Sequence, residues 1–150
     1  MKIIFELFAA FIMVLTFGIL FQAPKKSWLL LGLTGAISWS GYVISIILIK
    51  NAVISVFFAS IIVGICGEIF SRIMRIPVTV FVINGIIPLV PGILVYDTMF
   101  YLIKGKYLEG VKTGIDTVLI GGAIALAIAI VSTLAKYFKK VTTKKKKLRV

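Results

Sequence analysis

The chain reads as five long apolar runs parted by short polar turns. They cover about residues 3–21, 28–49, 52–70, 78–103 and 113–135, and a basic tail closes the chain over 136–150. Each run is apolar almost all round, unlike a surface helix, which keeps a polar face, or a half-buried strand, which alternates. Runs of about 19 residues or more are long enough for a helix to cross a hydrocarbon layer of about 30 Å. The pattern predicts an all-α polytopic membrane protein with one transmembrane domain over 1–135. It has about five transmembrane helices, the fourth broken at Pro88–Gly92. The first run is too long for a signal peptide and lacks a small-x-small cleavage pattern.

The fourth run organises the rest. Its middle reads Pro88-Leu89-Val90-Pro91-Gly92, which no straight helix accommodates. Neither proline has an N–H to donate one turn back, and the freed carbonyls cost several kcal/mol each in hydrocarbon unless satisfied. The expected geometry is two half-helices, one ending around Ile87 and one starting around Pro91. The second would aim free N–H groups and a partial positive charge at the break, where an anion or carboxylate can bind. Gly92 would let a ligand approach the backbone. Asn84 is placed to satisfy a freed carbonyl or to contact substrate. Tyr96 and Asp97 follow just over a turn into the second half, and Asp97 is expected to be the deepest acid. It either carries a coupling proton or pairs with a cation from another helix. Asn84, Pro88, Pro91, Gly92, Tyr96 and Asp97 are therefore the candidate substrate-binding or gating residues. A proline kink made only for packing is the plainer alternative.

Two other runs carry polar side chains. In the second, Thr34, Ser38, Gly41, Tyr42 and Ser45 share one helical face, with Trp39 nearby. Close helix packing and a lining for a substrate path are both open readings of Thr34, Ser38, Tyr42 and Ser45. In the third, Glu68 and Arg72 have the spacing and order of a helical ion pair, placed near the end of the span. Glu6 is expected to pair with Lys2, and Asp116 with Lys112. Small residues spaced by four, Gly110/Gly114 and Gly121/Ala125/Ala129, mark the fifth run for helix contact.

Charge changes the picture only once it is located. The net charge is +12, but eight of the seventeen Lys/Arg lie in the last fifteen residues. Beside a membrane helix such a run is a topology signal and a contact for anionic headgroups, and no fold is available here to present itself to nucleic acid. Five crossings put twelve cations on the tail's side and five on the other, which places the tail in the cytoplasm of an inner-membrane protein. A re-entrant fourth segment would give four crossings and a split of ten to seven. There is no histidine and one cysteine, Cys66. A His/Cys metal site is excluded within the chain, no cofactor is implied, and intramembrane catalysis would want for a base or ligand set.

Arg75-x-Pro77, a short apolar run, then Ile87-Pro88-Leu89-Val90-Pro91-Gly92 and Tyr96 resemble the threonine/serine exporter family. The chain resembles the small subunit of its split form, which is similar to the C-terminal membrane half of the single-chain exporters. The resemblance implies export of threonine and serine, or of small dicarboxylates, with a substrate-path role for Pro88, Pro91, Gly92 and Tyr96. It also implies a larger partner subunit supplying the other membrane half; a second copy of this chain is the other arrangement left open. The expected function is a secondary transporter, driven by the proton gradient, for a small carboxylate-bearing substrate. A non-transporting scaffold that stabilises another membrane protein is the alternative.

Overall fold

In hydrocarbon the backbone must satisfy its own polar groups, so every apolar run becomes helix. The computed structural model describes residues 2–147, and the side chains of 3–137. Its helices are α1 (Lys2–Leu20), α2 (Trp28–Ile49), α3 (Ala52–Met74), α4 (Val78–Gly85), α5 (Gly92–Ile103) and α6 (Tyr107–Lys147). Single 3-10 turns cover Lys25–Ser27 and Ile87–Leu89. Among the described residues there is no strand.

The turns stop their helices chemically. Lys50 adopts the left-handed conformation (φ 56°) and donates its N–H to Ile46 O at 3.0 Å, closing α2. Asn51 then caps α3, its Oδ1 accepting from Ile54 N at 3.1 Å. Arg75, also left-handed (φ 56°), closes α3 before Pro77 opens α4. Two bonds gather the other end of the bundle. Trp28 Nε1 donates to Ala23 O at 3.0 Å, and Lys26 Nζ donates to Met74 O at 3.1 Å.

Glycines set the register of the packed helices. A Cβ on Gly35 would stand 2.5 Å from Val14 Cγ2 and 2.7 Å from Ala10 O, so α1 lies directly on α2. Gly41 faces Ile62 and Ala59 of α3, and Gly85 of α4 faces Thr34 and Val63. Gly64 of α3 faces Val131 of α6. The buried core joins Val56, Ala59 and Val63 of α3 to Leu89 of the break and Ile120 and Ile124 of α6. The outer surface is apolar, with Phe5, Leu48, Ile93 and Leu108 among the exposed side chains, as a lipid-facing bundle requires.

The α4–α5 pair traverses the bundle. Ala52 and Val56 share a cavity with Ile120, while Glu68 and Arg72 share one with Leu134 and Ala135. α6 therefore runs parallel to α3. α4 starts where α3 ends, and α5 ends where α6 starts, so the pair joins opposite ends of the bundle and does not fold back as a re-entrant hairpin. Four helices are long and apolar enough to cross a membrane, or five with the bent pair counted as one span.

The fifth run differs from expectation. Its helix was expected over 113–135 after a polar loop at 104–110, but α6 starts at Tyr107 and continues to Lys147. Gly105 (φ 73°) turns the chain in three residues, and a Lys106–Glu109 pair at 3.4 Å sits on the first turn of α6. Beyond Ala135 no glycine or proline breaks the helix. The side chains of the basic run from 138 onward, and residues 148–150, lie outside the described ones. The apolar stretch Tyr107–Tyr137 is 31 residues, or roughly 46 Å, well over a core of about 30 Å. Its early part packs on α5, Gly110 against Leu102 and Gly114 against Thr98. This hairpin extends beyond the level of Ala52, where α2 and α3 turn.

Gly35→Ala should therefore force α1 off α2 and destabilise the fold by about 1–3 kcal/mol. Gly121 has nothing within 4 Å of its Cβ position, so Gly121→Ala should leave stability unchanged or raise it by up to about 1 kcal/mol. Thermal unfolding of both variants in the same detergent measures the contrast; equal losses would mean that the α1–α2 contact does not set stability.

Candidate functional site

The break follows from its two prolines. Pro88 cannot donate to Asn84 O, so α4 loses its i to i−4 ladder and tightens. Leu89 N donates to Ile86 O at 2.8 Å and Val90 N to Ile87 O at 3.3 Å. Val90 is extended (φ −65°, ψ 129°), and Gly92 N bends back to Val90 O at 2.8 Å. The two halves meet at 51°. Regular helix thus ends at Gly85, two residues before the expected Ile87, because the last turn becomes 3-10. Pro91 caps α5 from outside, and Gly92 is its first residue.

Val95 N donates to Pro91 O at 3.1 Å, the first regular bond of α5. The N–H groups of Ile93 and Leu94 precede that bond, so α5 itself offers them no partner one turn back. They form the positive end of a half-helix whose first residues, Gly92 and Ile93, are exposed. Beside them lies a cavity of about 200 Å³. The peptide Pro88–Pro91 and Leu94 form one wall, Trp39 and Tyr42 another, and Ala52, Val56 and Ile120 close it. The Trp39 and Tyr42 rings lie 5.1 Å apart, tilted by 37°.

The structure divides the sequence candidates. Pro88 and Pro91 line the cavity, and Gly92 adjoins it, exposed, with nothing within 4 Å of its Cβ position. Asn84 lies elsewhere. It is 2% exposed, its Nδ2 donates to Val80 O at 2.7 Å, and it faces a separate cavity of about 330 Å³ beside Gln22 and Pro24. Its Oδ1 has no partner among the described residues. Tyr96 is 66% exposed, stacked on Phe100 at 6.0 Å, and Asp97 is half-buried beside it. Both lie past Leu94 on the projecting hairpin.

Along α2, Tyr42 lines the cavity, whereas Thr34 and Ser38 are fully buried with hydroxyls turned to their own helix. Thr34 Oγ1 donates to Leu30 O at 2.8 Å and Ser38 Oγ to Gly35 O at 2.9 Å. Ser45 is half-buried. Arg72 donates to Glu68 at 3.3 Å, at the opposite end of α3 from the cavity. On α6, Gly110 and Gly114 contact α5, but Gly121, Ala125 and Ala129 are exposed, and nothing lies within 4 Å of the Gly121 Cβ position.

Sequence reasoning missed the setting of Glu6. Its Oε2 accepts from Trp39 Nε1 at 3.4 Å. The side chain of Lys2, the expected partner, lies outside the described ones. Counting equally outward from the turn at Pro24–Lys25 sets residue 6 opposite residue 43, one turn from Trp39; that signal was present in the spacing.

The family model described as Threonine/Serine exporter, ThrE, matches residues 6–134. No curated protein and no solved structure matches the chain.

The orphaned oxygen of Asn84 gives a stability test. A buried acceptor without a partner costs about 1–3 kcal/mol, so Asn84→Leu should unfold at a higher temperature than the parent chain. A lower unfolding temperature, measured in the same detergent, would show that the amide makes a net stabilising contribution.

Proposed function

The chain belongs to the threonine/serine exporter family, and from that premise we propose that it is the membrane subunit of a secondary exporter of small carboxylate-bearing metabolites. These are threonine and serine, or small dicarboxylates, moved at the expense of the proton gradient. The carboxylate binds at the start of α5, against the free N–H groups of Ile93 and Leu94. The observation that carries this reading is a broken helix whose positive end adjoins a cavity of about 200 Å³ within an apolar bundle. That volume suits a small metabolite better than a drug-sized ligand, whose pockets start near about 300 Å³. The 51° joint supplies a place for rocking between inward- and outward-facing forms.

The transporter works with a larger subunit that supplies the other membrane half. Supporting this are the exposed small residues Gly121, Gly122, Ala125 and Ala129 of α6, and the absence of any buried residue on α5. The traverse by α4 and α5 supports the distribution of twelve cations against five, and with it a tail in the cytoplasm and residence in the inner membrane. The same exposed α6 face is the observation that favours a second reading, a scaffold that holds another membrane protein without moving substrate.

Efflux of labelled threonine, serine and succinate from cells separates the readings, with this chain alone, with a candidate large subunit, and with both. Efflux only with both establishes the two-component exporter; efflux from this chain alone points to a homo-oligomer. No efflux, with both proteins shown in the membrane, favours the scaffold. Gly92→Val meets no steric obstacle within the chain, so it should fold and insert normally yet lower efflux by about tenfold or more, by blocking approach to the backbone. Unchanged efflux would remove the start of α5 from the substrate path.

A further inference from the structure

The chain has five acidic residues. Glu68 is paired with Arg72 and Glu109 with Lys106, while Asp97 and Asp116 lie on the α5–α6 hairpin. Glu6 lies on α1 and is hydrogen-bonded to Trp39, which lines the cavity at the break. Its level is fixed by packing: Ala10 and Val14 of α1 lie on Gly35, so Glu6 comes a turn further along, beside Trp39. Trp39 stands midway along Trp28–Ile49, at the middle of the bundle. α1 also packs directly on the 3-10 turn Ile87–Leu89.

A path of direct contacts results. Trp39 Nε1 donates to Glu6 Oε2, the indole ring packs on Tyr42, and both rings form the cavity wall that faces Pro88–Pro91. An ionisable group at this depth is costly, and the bond that holds it, at 3.4 Å, is long. An N–H bond to an ionised carboxylate is about twice as strong as one to a neutral group. Protonation of Glu6 would weaken the tether that holds the indole in the cavity wall. Ionisation restores it.

We propose that Glu6 is the proton-binding residue of the transport cycle, a positioning residue that acts through Trp39 on the cavity at the helix break. This rests on the exporter reading above. A proton from the aqueous phase adds to a carboxylate oxygen of Glu6, giving the neutral carboxyl, and later leaves from it; only that O–H bond forms and breaks. The titratable or charged groups that face Glu6 are few. α2 brings Tyr42 behind Trp39, and α1 carries Lys2 one turn away, its side chain outside the described ones. The turn Ile87–Leu89 brings none.

Two tryptophans make the proposal testable by light as well as by flux. Trp28→Phe leaves Trp39 as the sole emitter. In this chain reconstituted by itself, its emission should change as the pH is lowered and one proton binds. The change should vanish in Glu6→Gln and persist in Tyr42→Phe. Efflux by the Trp28→Phe chain should rise with an imposed pH gradient, and Glu6→Gln should lose that dependence by about fivefold or more while still carrying substrate down its own gradient. Glu6→Asp should restore part of it. Emission that responds to pH identically with and without Glu6→Gln would overturn the proposal, as would a Glu6→Gln chain with unaltered gradient dependence. A raised KM with flat emission would also overturn it, by assigning Glu6 a fixed charge that holds a cationic group. No efflux from the unmutated protein, with emission still governed by Glu6, would sink the exporter reading and the coupling role together, leaving a pH-responsive anchor.

Discussion

Hydrocarbon offers the backbone no hydrogen-bond partner, and this one constraint orders the whole chain. Five apolar runs meet it by becoming helices, and tight turns meet it with left-handed caps at Lys50 and Arg75. At Pro88 and Pro91 it cannot be met in the ordinary way. The chain compensates by tightening to a 3-10 turn, folding Gly92 N onto Val90 O, and burying Leu89 in the core with Val56, Ala59 and Ile120. The break is thus anchored at its centre by Leu89 and exposed at its end, where α5 begins.

Glycine then decides what packs on what. Lipid gives helices no hydrophobic reason to associate, so close approach of backbones must supply the attraction. Gly35, Gly41, Gly64 and Gly85 each lie so close to a neighbouring helix that a methyl group would collide with it, and together they lock α1, α2, α3, α4 and α6 in one register. That register brings Trp39 and Tyr42 to the break and Glu6 to Trp39. The site is a consequence of helix packing, assembled from three regions far apart in sequence.

Much of this is legible before any coordinates. The helix lengths come from the apolar runs, and the break comes from two prolines three apart, because both effects are local. The Glu68–Arg72 contact is one helical turn and equally local. What the chain hides depends on register between helices. Asn84 reads as part of the break by proximity in sequence, yet it turns to a different cavity because α4 ends one turn before the cavity begins. Asp97 reads as deep because the fourth run is long; it lies half-buried on α5, five residues beyond Gly92. Glu6 reads as an interfacial acid because it lies near the chain start, whereas the α1–α2 register draws its carboxylate towards the middle of α2.

Gly92 is the sharpest remaining constraint. A glycine near the start of a helix is explained by a positive φ, by a close neighbour, or by something that approaches it from outside. Gly92 has no positive φ, and nothing stands within 4 Å of where a Cβ would be. Alanine would be the better helix former by up to about 1 kcal/mol. The glycine therefore has no use within this chain's own fold, unlike Gly35 or Gly85. It stands at the start of α5, next to Pro91 of the cavity wall. Gly121 and Gly122 have the same surplus without any polar group beside them, which fits a helix from another chain and not a solute. Both kinds of idle glycine are exposed, the one at the start of a half-helix and the other on a bare helix face.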